Sequence, residues 1–129
     1  MDFKFTIPYE TPAKKNSRVV LKNGRNIPSA RYREWEQNAY IFLKASKLKS
    51  VKTPIGTPIE IQLRFIHSDK RRRDSDNQAS SVLDLLQDAG ILQDDSWQIV
   101  RKLVVENYAG KRACCIIRIN DYIGGDDLQ

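Results

Sequence analysis

The chain has 129 residues, 40% hydrophobic and 29% charged, with a formal net charge of +6 and a sequence pI near 9.4. That is enough for one domain with a core of its own, and no apolar run approaches the roughly 20 residues that span a bilayer. The basic balance favours an anionic partner such as nucleic acid, and without a lipidation motif or a signal-peptide layout at Met1-Asp2-Phe3-Lys4-Phe5 a cytoplasmic protein with no membrane attachment is expected.

Asp2 to Ile7 alternates, with Phe3, Phe5 and Ile7 on one face, and reads as a first strand stopped by Pro8. A loop from Tyr9 to about Pro28 carries Lys14, Lys15, Arg18, Lys22 and Arg25; Asn23-Gly24 within it is a turn signal, suited to the tip of a short hairpin. Ser29 is placed to cap a helix running from Ala30 to about Leu48. Trp35, Ala39, Phe42 and Leu43 recur there at helical spacing, opposite Arg31, Arg33, Glu34, Glu36 and Lys44.

Ile59, Ile61, Leu63 and Phe65 alternate with Glu60, Gln62 and Arg64, which predicts a strand with one buried and one wetted face. After a polar stretch from His67 to Asn77, Val82, Leu85, Leu86 and Ala89 mark a second helix, with Gly90 where a C-terminal cap belongs. Two further strands are expected at Ile99 to Val105 and Ala113 to Ile119, joined by a short connection around Tyr108 to Lys111. Cys114 and Cys115 point to opposite faces of the last strand, so a disulfide between them would be strained, and they are too few and too close for a zinc site. The fold class expected is α+β: a mixed four-stranded sheet with two helices on one face, in the order β-α-β-α-β-β. One domain over 1–123 is expected, with 124–129 a frayed tail.

The chemistry lies in Lys70-Arg71-Arg72-Arg73-Asp74-Ser75-Asp76-Asn77 and in Asp94-Asp95 beyond the second helix. A short return loop offers a way to bring the two acidic pairs together beside the sheet. Two negative charges about 4 Å apart repel by about 4 kcal/mol at an effective dielectric near 20, so gathered carboxylates call for protons, cationic partners or a divalent ion. Hard oxygen donors suit Mg²⁺ or Mn²⁺, and a cation so held assists phosphodiester hydrolysis. The neighbouring arginines offset the repulsion between such a cluster and DNA. The same residues also read as ordinary structure: Asp74, Ser75 or Asp76 as a helix cap, Asp94-Asp95-Ser96 as a turn, and Lys70 to Arg73 as a solvated run. His67 reads as a polar strand terminus, because no carboxylate partner for it is fixed by the sequence; Trp97 reads as structural, and Glu106 as one more carboxylate that the sequence does not place.

Arg72-Arg73-Asp74-Ser75-Asp76-Asn77, the helix with Asp84-Leu85-Leu86, Gly90 and then Asp94-Asp95 together resemble the signature of the RusA family of Holliday junction resolvases. The likeness extends upstream to the loop with Pro12, Lys14, Lys15, Asn16 and Arg18, and covers about Phe3 to Ile119. It implies a RusA-like α+β homodimer that cuts four-way DNA junctions by Mg²⁺-dependent hydrolysis in recombination and repair. It further implies that Asp74, Asp76 and Asp95 are catalytic, that Asp94 completes a metal-binding set with them, and that Arg73 and Asn77 contact or orient DNA. Lys14, Lys15, Arg18, Lys70, Arg71 and Arg72 are the remaining candidate DNA contacts. Where the family commonly has a lysine, this chain has Ser80, which can donate a hydrogen bond but supplies no charge. That departure sustains the alternative of a branched-nucleic-acid-binding protein of the same fold with weak or no catalysis.

Overall fold

A computed structural model describes residues 1–13, 18–47 and 51–128. The elements are β1 (Asp2–Ile7), β2 (Arg18–Val20), β3 (Asn26–Pro28), α1 (Ala30–Lys47), β4 (Ile59–His67), α2 (Ser75–Asp88), β5 (Val100–Ala109) and β6 (Cys114–Asp121). The main sheet has the order β1-β6-β4-β5, in which β6 is antiparallel to both β1 and β4 while β5 runs parallel to β4. This is the mixed four-stranded α+β arrangement expected from the periodicities. The small β2-β3 hairpin turns at Gly24, whose φ of 83° is one that residues with a side chain seldom adopt.

Register explains the burial. Phe5 lies opposite Ile117 and Ile7 opposite Cys115 in one ladder, and Ile61, Leu63 and Phe65 face Ile119, Ile117 and Cys115 in the next. All of these are buried on one face, beneath α1 and α2, while Lys4, Gln62, Arg64 and Arg118 line a shallow depression on the other. The Ser29 hydroxyl oxygen accepts from the Tyr32 N–H at 3.2 Å, as an N-cap should. The buried stripe of α1 is Tyr32, Trp35, Ala39 and Leu43; Phe42, expected in the core, is 39% exposed. Tyr32, one turn before Trp35, joins the buried stripe at the other end of the helix, its ring centroid 5.6 Å from the indole.

The unit that governs the site is β4-α2-β5. Because β5 is parallel to β4, α2 must carry the chain back along the sheet. Its N-terminus therefore lies where β4 and β5 end: the Asn107 amide donates to Ser75 Oγ at 2.9 Å, and the Gly110 N–H donates to the His67 carbonyl at 2.9 Å. Its C-terminus lies where those strands begin. Gly90, at φ 73°, closes the helix, and the Ile91 N–H bonds back to the Leu86 carbonyl. Ile55 then clips the return segment by donating to Ile91 and accepting from Gln93.

Candidate active site

Asp74 is the N-cap residue of α2, yet its side chain makes no capping hydrogen bond. Its Oδ1 is 3.4 Å from Arg72 Nη2 and its Oδ2 is 3.5 Å from Asn77 Nδ2, both long contacts. The carboxylate is thus not consumed by capping. Asp76 stands exposed in the first turn of α2, where the helix dipole favours negative charge. A cleft of about 350 Å³ opens beside Asp74, lined by Thr11 and Pro12 after β1, Arg31 of α1, and Arg71 and Arg72. Arg71 and Arg72 are exposed, and guanidinium groups so placed match phosphate oxygens bidentately. Arg18 is exposed on β2 and donates to the side chain and carbonyl of Asn26. Lys70 is exposed in the run before α2. Lys14 and Lys15 lie outside the described residues.

Arg73 behaves differently from its neighbours. Its side chain is only 15% exposed, with Nε 3.0 Å from Glu10 Oε1 and Nη2 2.8 Å from Asp69 Oδ1. The same Glu10 carboxylate lies 3.0 Å from His67 Nδ1 and accepts from Gln78 Nε2 at 3.2 Å. His67 Nε2 is 2.8 Å from Asn107 Oδ1, and Asn107 holds Ser75. One carboxylate thus ties the end of β1 to β4, to the arginine run and to α2, which fixes the backbone on either side of Asp74 and Asp76. Glu10 was not visible as a site residue, because a lone acid after Pro8 has no pattern to mark it; His67 lacked a carboxylate partner in the sequence for the same reason. The Asp69 carboxyl is held below its ordinary range by the Arg71 backbone N–H and the Arg73 guanidinium, which keeps it ionised as a partner for that cation.

Asp94, half-buried, and Asp95, exposed, follow the return segment at the opposite end of α2. Fourteen helical residues span about 21 Å. Among the described residues no three His, Cys, Asp or Glu side chains come together as a metal-binding group. The expectation that a short return loop brings the two acidic pairs together is therefore not met within one chain. The reason is topological: a parallel crossover puts the start and the end of its helix at opposite ends of the sheet. Tested against a hard divalent ion, the donors have the right chemistry, all carboxylate oxygen, but one chain gathers them as two separate pairs.

A small α+β domain whose helix N-terminus sets Asp74 beside an arginine-lined cleft, with Asp76 exposed two residues on, has the make-up of a nuclease working on phosphodiesters. The family model for endodeoxyribonuclease RusA matches residues 8–120, and the chain belongs to the RusA family. That family comprises endonucleases that resolve Holliday junctions, act on branched DNA and in general depend on divalent metal. Among curated proteins no match is found.

Proposed function

We propose that the protein is a Mg²⁺-dependent endonuclease that resolves four-way junctions during DNA recombination and repair, and that it does so as a two-fold homodimer. The observation that carries this reading is the placement of Asp74 at the N-cap of α2, its carboxylate unused in capping and lining the cationic cleft, with Asp76 following in the first turn. Asp74 and Asp76 of one protomer, completed by Asp94 and Asp95 of the other, are the carboxylates that would hold the ion; Mn²⁺ has the same donor preference. A divalent ion held there would supply charge neutralisation at the scissile phosphate and a more acidic water. Arg31, Arg71 and Arg72 bind the flanking phosphates, and Lys14, Lys15, Arg18 and Lys70 extend that contact. Asn77 orients Asp74, while Arg73 positions the run through Glu10 and Asp69 rather than facing DNA freely. A two-fold axis suits a substrate whose symmetric strands must both be cut.

Asp76→Asn is isosteric at an exposed position. It is expected to retain the fold and junction binding and to lower cleavage at least a hundredfold in Mg²⁺. Cleavage of a synthetic four-way junction by the variant at the wild-type rate overturns the assignment. The second reading, binding without catalysis, is favoured by Ser80. Wild-type protein that retards the junction but leaves it uncut in both Mg²⁺ and Mn²⁺ selects it.

A further inference from the structure

We propose that Arg101 and Trp97 form a second DNA contact, for a backbone phosphate and its unstacked base, and that the Asp126 carboxylate occupies it until a DNA strand displaces the tail. The inference rests on the DNA-binding reading above and adds a surface at the opposite end of α2 from the arginine cleft.

The register puts Arg101 there. Ile59 pairs with Val100 but Glu60 pairs with Lys102, so Arg101 is the extra residue of a bulge at the start of β5. A bulge re-aims the side chain it carries. The Arg101 guanidinium carbon lies 4.8 Å from the ring centroid of Tyr122, just beyond β6, and 5.6 Å from that of Trp97. The two rings hold the planar group by cation–π attraction, and its side chain is only 12% exposed. Nη1 donates to Asp126 Oδ1 at 2.6 Å and Nη2 to the Gly125 carbonyl at 3.3 Å. The tail thus presents two oxygens to one edge of a guanidinium, the contact that a phosphodiester's non-bridging oxygens also make. A Cβ at Gly124 would collide with the Tyr122 ring, so glycine lets the tail turn over that ring to reach Arg101.

Two features favour DNA over the tail as the final occupant. Asp126 is 88% exposed, and an ion pair with so exposed a partner is readily exchanged. Trp97 is 68% exposed, and an indole face accepts any unstacked base. Trp97 sits on the turn in which the Ser96 carbonyl accepts from the Ile99 and Val100 N–H groups. It follows Asp95 by two residues, a reach of at most about 7 Å. A strand held at Arg101 and Trp97 therefore passes beside the second acidic pair.

The experiment measures binding of a synthetic four-way junction and of a single-stranded oligothymidine, in EDTA, by anisotropy across a salt series. Asp126→Asn, at an exposed position, is expected to fold as wild type does and to tighten oligothymidine binding about two- to fivefold. Its plot of log affinity against log salt should steepen by about 0.7, because the freed Arg101 now displaces a counterion. Removal of residues 124–129 should act alike, and Asp127→Asn should gain less. In Arg101→Gln the further change Asp126→Asn should gain nothing. Oligothymidine should quench the fluorescence of Trp97 and lose that effect in Trp97→Phe, where the buried Trp35 remains. If Asp126→Asn keeps the wild-type affinity and slope, or gains as much in the Arg101→Gln background, the contact is overturned while DNA binding stands. Should wild type bind neither probe at low salt, the DNA-binding reading falls and takes this contact with it.

Discussion

Glu10 concentrates more of the site's order than any aspartate does. Its carboxylate meets His67, Arg73 and Gln78 within 3.2 Å, and its side chain is 17% exposed. Exchanging it for Gln removes the charge and keeps the shape, leaving Arg73 with the Asp69 carboxylate and the Arg71 carbonyl. Charge-assisted hydrogen bonds of this kind contribute about 1.5–3 kcal/mol, and Asp69 still compensates part of the loss. Glu10→Gln is expected to lower stability by about 1–2 kcal/mol and to reduce kcat roughly tenfold, with junction affinity within a few-fold of wild type. Glu10→Asp should recover part of kcat. Equal kcat for wild type and Glu10→Gln assigns the network to folding alone. Tyr32 makes a separate prediction at the same scale. Burial beneath α2, with Glu36 nearby, pushes its phenol up to about 12 from an ordinary 10.0. The folded state thus holds this proton more tightly than the unfolded chain does. The resulting stability is present below pH 10 and is lost as pH rises through the folded value. By linkage about 2–3 kcal/mol disappears across that window. Urea titrations at pH 9 and pH 12 should show the fall in wild type and a flatter profile in Tyr32→Phe.

Helices and strands were readable in the sequence wherever a period met a punctuation residue. The alternation from Ile59 to Phe65 marks β4, which continues through Ile66 to His67 because Gly110 and Asn107 hold its last turn of the ladder from β5. The α2 stripe of Val82, Leu85 and Leu86 is buried as its spacing implies, though the helix begins at Ser75, ahead of the first apolar position. The start is fixed by tertiary bonds from Asn107 rather than by a local capping side chain. On α1 the capping signal is local, since Ser29 Oγ accepts the Tyr32 N–H. Ser29→Ala is expected to cost about 1 kcal/mol of stability without changing cleavage per folded molecule; a loss of cleavage beyond the unfolded fraction would place Ser29 in the site. What periodicity could not carry was placement. The sequence marks Asp74, Asp76, Asp94 and Asp95 as acidic pairs, but whether they meet depends on whether β4 and β5 run parallel. Hydrophobic alternation is the same for either direction.

At the scale of the whole molecule, the separation of the acidic pairs makes the proposed homodimer something that the chemistry can test. If each site takes Asp76 from one protomer and Asp95 from the other, Asp76→Asn and Asp95→Asn each disable both sites of a homodimer. In a heterodimer of the two variants, one site collects both substitutions and the other collects neither. Random exchange of subunits yields half heterodimers, so mixing two inactive proteins should restore about a quarter of wild-type site activity. The product distinguishes this from contamination: one working site per dimer cuts one strand of the junction, giving nicked junctions in place of resolved duplexes. Were each site built from a single chain, the same heterodimer would carry one substitution in each site and no activity would return. Because subunit exchange must occur first, the proteins are mixed, incubated and diluted into junction and Mg²⁺. Activity that rises with incubation time to a plateau near one quarter supports a shared site, and none at any time, with exchange confirmed by mass, excludes it.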